Sequence, residues 1–338
     1  MLVRPVYLLL FAAFAIAPVL AQQPEAKIEK KANATTAASA VPRPPAENWS
    51  SLSDLKTGLQ ASASALIQHD EQPEFVRELV RVQWRLNDPV DLWISRPKAS
   101  GKVPVVLYLY SYTDVNDRFH DNGWCQRATA DGFAAVGFVS ALSDYRFKLR
   151  PLKQWFVSEL PEALGSSTHD VQLILDYLAS RGDMNMDRVG MFGMGSGATI
   201  AILAAQADPR IKALDLLDPW GAWPQWLRNT PIIPADEREK YVTAEFFKSV
   251  ATLDPLTYLS SLRTPALRLQ QTATELVTPT VAKETISAAM PVRAVFVKHA
   301  SQQDLLKAWQ ITGLSGWIKE QLRSEKTTQF STAGGSAQ

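Results

Sequence analysis

The chain of 338 residues has one cysteine, Cys125, and four scattered histidines. A lone cysteine cannot close an internal disulfide, and no Cys/His cluster stands at zinc-ligand spacing. Cys125, in Gly123-Trp124-Cys125-Gln126, reads as a small buried residue with no histidine in a recognisable partner position. A charge excess of either sign is also lacking, with 35 Lys plus Arg against 34 Asp plus Glu. Nothing then draws the chain to phosphate backbones or acidic membrane surfaces, which argues against nucleic-acid binding. Asp114, Asn116, Asp117 and Arg118 form a polar loop with too few carboxylates for a metal, and no cofactor is called for. What is abundant is apolar residue, at 46%, enough for a large core. Glycine is not abundant, at 16, yet four glycines crowd into Gly190, Gly193, Gly195 and Gly197.

The two ends differ from the middle. Arg4, an apolar run over 6–20 and the small-residue site Val19-Leu20-Ala21 before Gln22 read as an export signal over 1–21. The run is shorter than the roughly 20 residues that span a bilayer, so a membrane contact is expected only if the segment stays uncleaved. With no disulfide framework, the expected compartment is a bacterial periplasm or the medium. Residues 22–48, rich in Ala, Lys and Pro, predict a disordered linker, and 325–338, of Ser, Thr, Gly and Ala, a disordered tail. One domain is expected over 49–324.

Within that domain 75–84 and 90–96 alternate around Leu86-Asn87-Asp88-Pro89, the pattern of an antiparallel hairpin with one solvated face. The runs 103–110, 133–140, 188–192, 211–217, 266–269 and 292–298 are continuously apolar, as strands buried on both faces are. Helical patterns over 169–181, started by Ser167 or Thr168 and stopped by Gly182, and over 198–207, 280–289 and 302–323, broken near Gly313, lie between or after them. This order predicts a three-layer α/β fold with a mostly parallel sheet of eight strands and an N-terminal hairpin. An insertion at about 219–250, with Trp220, Trp223 and Trp226, is expected over the carboxyl ends of the strands. The tryptophans either line a pocket or pack the insertion down. His69, His120 and His169 show no partner pattern, and His169 reads as a solvated or capping residue at a helix start.

The glycine cluster lies in Asp187-Arg188-Val189-Gly190-Met191-Phe192-Gly193-Met194-Gly195-Ser196-Gly197-Ala198, a strand, a tight turn and a helix. A helix ending in Ser180-Arg181-Gly182-Asp183 precedes it, and Asp208-Pro209-Arg210-Ile211-Lys212-Ala213 leads into the next strand. In this order of features the chain resembles the α/β-hydrolase superfamily, notably its dienelactone-hydrolase and acyl-peptidase-like branches, over most of 75–320. The resemblance implies a G-x-S-x-G nucleophile elbow, and aligned on Gly193 and Gly197 this chain has Gly195 at the serine's place. It also implies a His-Gly after the first buried strand, where Tyr110-Ser111 stands, and an acid near Gln270-Gln271-Thr272-Ala273-Thr274-Glu275, where only Glu275 offers one. His299 stands where the family places its base.

These departures leave three readings. In the first the protein is exported, catalytically impaired or non-catalytic, and keeps a cleft for a small ester or acyl ligand. In the second it is an esterase or peptidase-like serine hydrolase with Ser196 as nucleophile, His299 as base and Asp218 as orienting acid; against it, Ser196 is also the residue type that caps helices. The third takes Gly193-x-Gly195-x-x-Ala198 as a dinucleotide fingerprint with Asp215 or Asp218 as the ribose acid, although two buried strands and a hairpin precede it.

Overall fold

Residue parity sets the layers. Val80 and Val82 are 2% and 1% exposed while Arg81 between them points to solvent, so a one-residue slip of that strand would drive Arg81 into the core. In Val103–Leu109 every residue is buried; Val105, Leu107 and Leu109 join one apolar cluster, and Val106 and Tyr108 join another on the opposite face. A computed structural model of the chain describes residues 63–85, 88–112, 117–143, 146, 156–274 and 277–323. The expected export signal, linker and tail, and Asp114, Asn116 and Glu275, lie outside them.

Among the described residues nine strands form one sheet: β1 (Ala65–Glu71), β2 (Phe75–Arg85), β3 (Asp88–Pro97), β4 (Val103–Leu109), β5 (Ala134–Gly137), β6 (Met184–Met194), β7 (Ile211–Leu217), β8 (Ala266–Thr272) and β9 (Val295–His299). Their order is β1-β2-β3-β5-β4-β6-β7-β8-β9. The first three pair antiparallel, β3 pairs antiparallel with β5, and β4 to β9 run parallel. The strand missed in the sequence is β1, an edge strand of sequence ALIQHDE, exposed along nearly its whole length and so without an apolar signal.

The helices of seven residues or more are α1 (Asn122–Thr129), α2 (Leu160–Arg181), α3 (Ser196–Ala207), α4 (Trp223–Asn229), α5 (Ala244–Val250), α6 (Thr280–Ala288), α7 (Gln302–Thr312) and α8 (Gly316–Arg323). Residues of α2 and α3 cover one face of the sheet, and residues of α1, α7 and α8 the other. Helix α2 begins well before the expected 169. Ser167 and Thr168 do not cap it; they are buried in its interior, and Thr168 donates to the Leu164 carbonyl at 2.9 Å. Burial against the sheet outweighs the weak helix preference of Gly165-Ser166-Ser167-Thr168. His169 therefore sits mid-helix beside Trp84, ring centroids 5.2 Å apart. Strand β9 starts at Val295, and Val292, expected in it, stands fully exposed.

Candidate functional site

The Gly193–Gly197 turn joins β6, between β4 and β7 in the middle of the sheet, to α3 at the carboxyl edge. Its apex is Gly195, at φ 54° and ψ −120°, a conformation that costs a residue with a side chain roughly 1 to 3 kcal/mol. The apex is tied on both sides. Its N–H donates to the Leu217 carbonyl at 2.9 Å, and its carbonyl accepts from the Trp220 N–H at 3.3 Å. A Cβ built on Gly195 would lie 2.2 Å from Ser111 Oγ, 2.8 Å from Ser111 Cβ and 3.2 Å from Trp220 Nε1. The volume above the turn thus belongs to Ser111, which follows β4.

The two serines and the N–H groups around them form a closed set. The Ser196 N–H, at the start of α3, donates to Ser111 Oγ at a long 3.4 Å. The Tyr112 N–H donates to Ser196 Oγ at 2.7 Å, and Ser196 is fully buried. An oxyanion needs such N–H donors aimed at open space. Here each is directed at a serine hydroxyl of the chain.

Asp218 follows β7 with φ 43°, and two of the three non-glycine residues of positive φ among the described residues, Asp218 and Ala222, lie in this stretch. The Asp218 carboxylate accepts from Thr272 N–H at 3.2 Å and Thr272 Oγ1 at 2.5 Å, and pairs with Lys283 Nζ at 2.9 Å. Lys283, buried on α6, also donates to the carbonyls of Thr272 at 2.8 Å and Thr274 at 2.9 Å. It ties Asp218 to the end of β8.

His299, the last residue of β9, is 7% exposed. Its Nε2 lies 3.0 Å from Gln270 Oε1. Gln270 Nε2 donates to Asp215 Oδ1 at 2.9 Å, and Arg268 donates to both Asp215 oxygens at 2.8 and 2.6 Å. Burial raises the Asp215 carboxyl above its ordinary range, opposed by the hydrogen bonds and charge of Arg268 and the hydrogen bond of Gln270. Burial, then the Arg268 charge, pushes His299 below the ordinary histidine range, with Asp218, Asp304 and Asp215 opposing. The balance favours the neutral imidazole.

The three sequence candidates are therefore distributed as follows. Ser196 is bonded to the Tyr112 backbone, Asp218 to Thr272 and Lys283, and His299 to Gln270. Among the hydrogen bonds of the described residues none joins any two of them. Arg268 and Gln270 are polar residues at i and i+2 of β8; Arg268 is in register with Asp215 of β7 and Gln270 with Leu217. That pattern of polar pairs inside apolar runs was the available signal. The contribution of Lys283, eleven residues from Thr272, left none.

Trp220, Trp223 and Trp226 are at most 1% exposed and pack on one another, with centroids 4.7 and 5.7 Å apart. They pack α4 into the apolar cluster that also holds α2 and α3. A hollow of about 460 Å³ lies near the amino ends of β7 and β8 beside Lys212 and Arg263, away from the glycine turn. As for the dinucleotide reading, Asp215 and Asp218 are both engaged by cationic side chains, and the turn follows the sixth strand of the chain.

Residues 88–329 match the family described as X-Pro dipeptidyl-peptidase (S15 family). Among solved structures, an acetyl xylan esterase from Paenibacillus sp. R4 superposes with a TM-score of 0.58 at 17% identity, over 80% of this chain and 90% of that one. Acetyl xylan esterase 1 from Thermoanaerobacterium sp. JW/SL YS485 gives 0.55 at 13%, over 79% and 92%. An S-formylglutathione hydrolase from Agrobacterium tumefaciens gives 0.54 at 16%, over 76% and 99%. At these identities the likeness is one of fold, the α/β-hydrolase fold, with β1 as a ninth strand. No curated protein matches the chain in sequence.

Proposed function

The chain belongs to the X-Pro dipeptidyl-peptidase (S15) family, and from that premise we propose that it holds a small acyl or ester-type ligand without hydrolysing it at the elbow. The observation that carries this is Gly195 at the apex of the turn, with Ser111 in the space a serine side chain would fill. An elbow serine gives up its proton to an imidazole and attacks a carbonyl carbon; glycine has no oxygen to offer. Further support comes from the Ser196 and Tyr112 N–H groups, which are taken up by serine hydroxyls, and from the Nε2 of His299, which is taken up by Gln270.

The purified protein is expected to form no adduct with a fluorophosphonate probe, seen by intact mass. Its hydrolysis of 4-nitrophenyl acetate should equal that of Ser196→Ala and His299→Ala. An adduct on Ser196, or a rate lost in both variants, overturns the proposal. Those outcomes would establish the second reading, which family membership favours: Ser196 as nucleophile, His299 as base and Asp218 as acid. Loss of a working nucleophile costs about a 10⁶-fold drop in kcat, so the two outcomes are far apart.

We also propose export, supported by Arg4, the apolar run to Leu20 and the small-residue site ending at Ala21. Expressed with its own leader in a bacterium, the chain should be recovered with a mass that begins at Gln22. Recovery of the full-length mass alone would count against it.

A further inference from the structure

His299 has a second ring nitrogen, and its state follows from a chain of hydrogen bonds. Both Asp215 oxygens accept guanidinium N–H groups of Arg268, at 2.8 and 2.6 Å, so neither acts as a donor. The end of Gln270 that meets Asp215 at 2.9 Å is therefore the NH₂ group. The Gln270 carbonyl oxygen must then face His299 Nε2, 3.0 Å away, and that oxygen can only accept. Nε2 consequently carries the proton. In a neutral imidazole the other nitrogen, Nδ1, keeps a lone pair, and it makes no hydrogen bond to a described residue. The side chain that holds this acceptor is more than nine-tenths buried.

We infer that His299 is a hydrogen-bond acceptor for a bound hydroxyl through Nδ1, locked in the Nε2–H tautomer by Gln270, Asp215 and Arg268. The inference deepens the ligand-holding reading and rests on it for the existence of a ligand. A working triad has the opposite arrangement, with the proton on Nδ1 held by the acid and Nε2 open toward the nucleophile. The surrounding charges restrict the ligand to a neutral donor. Arg268 is paired with Asp215, Lys283 with Asp218, and Asp304 meets Lys307 at 4.0 Å and Ser301 at 2.8 Å. No uncompensated charge among the groups that act on His299 is left to balance an ammonium or a carboxylate. An alcohol or phenol hydroxyl meets both conditions, donating one hydrogen bond and bringing no charge.

The test is ¹⁵N NMR of the full chain labelled in its histidine rings at pH 7, with the His299 signals identified by their loss in His299→Gln. The expected spectrum has a pyrrole-type Nε2 and a pyridine-type Nδ1. Addition of phenol should move the Nδ1 signal in the direction of hydrogen bonding, and anisole, the same ring without a donor, should leave it in place. Gln270→Leu removes the lock and should bring the two nitrogens toward averaged signals; should that variant not fold, the wild-type tautomer and the phenol shift decide alone. A proton on Nδ1, an imidazolium at pH 7, or an Nδ1 signal unmoved by phenol overturns the inference. The tautomer is read independently of hydrolysis. Ester turnover with the Nε2–H tautomer intact would sink the ligand-holding reading and not the lock, and the reverse combination would sink only the lock.

Discussion

Gly197→Ala is expected to leave little or no folded protein. A Cβ at this position would meet Leu109 O at 2.2 Å, Leu109 C at 2.7 Å and Tyr110 O at 2.8 Å. All three are backbone atoms at the end of β4, which lies between β5 and β6 and is hydrogen-bonded on both sides. Neither side can give way, because moving β4 would break ladders in the centre of the sheet. Overpacking that a flexible side chain can absorb costs about 1 to 3 kcal/mol. Where only backbone can yield, the expected loss exceeds about 4 kcal/mol, a large part of the roughly 5 to 15 kcal/mol that holds a domain together. Thermal unfolding followed by circular dichroism reads it. Gly101→Ala is the control: its φ of +86° is unfavourable to alanine, but nothing lies within 4 Å, so a loss of about 1 kcal/mol is expected there. A Gly197→Ala protein that melts within a few degrees of wild type would show that the turn is not packed against β4 as described.

Gly195→Ser and Ser111→Gly should be strongly coupled. Serine at 195 takes on the backbone cost of φ 54° and ψ −120°, roughly 1 to 3 kcal/mol. In the wild-type background it also collides with Ser111, whose Cβ stands 2.8 Å from the new Cβ and has little freedom to retreat. Ser111→Gly removes that obstacle and opens the Ser196 N–H. The double variant should therefore be more stable than Gly195→Ser alone by about 1 to 3 kcal/mol, a coupling read from a double-mutant cycle of denaturant melts. Its turnover should stay low, since His299 Nε2 remains on Gln270. Additive stabilities would mean that Ser111 does not fill the elbow.

Much of the fold was legible in the residues. The continuous apolar runs that became β4 to β8 are largely buried, as strands between two helical layers are; the run that became β9 is not, because β9 is the sheet's edge strand and its Val295 and Phe296 stand exposed. The hairpin of β2 and β3 was legible from alternation, as Val80-Arg81-Val82 illustrates. Strand β1 was not, because an edge strand exposed on both faces carries no hydrophobic period. The first turns of α2 were missed for a related reason: Gly165, Ser166, Ser167 and Thr168 are poor helix formers held helical by burial, and burial comes from distant segments. At the site the elbow's frame was readable because glycine is a local requirement. The partners of His299 were not, since Asp215, Arg268, Gln270 and His299 come from three strands and meet only when the sheet registers.

By itself the sequence determined the class of fold, the place of the tight turn and the absence of a side chain at Gly195. Each is dictated by composition or by a few consecutive residues. Tertiary structure alone decided what fills the space above that turn. Ser111 lies eighty-four positions from Gly195 and reaches it because β4 and β6 are hydrogen-bonded neighbours in the sheet. It also decided which nitrogen of His299 is open, because proton placement depends on the orientation of Gln270, and that depends on a carboxylate held by Arg268 on the adjoining strand. Spacing along the chain encodes backbone geometry; the pairing of donors and acceptors across strands depends on distances that exist only once the sheet has formed.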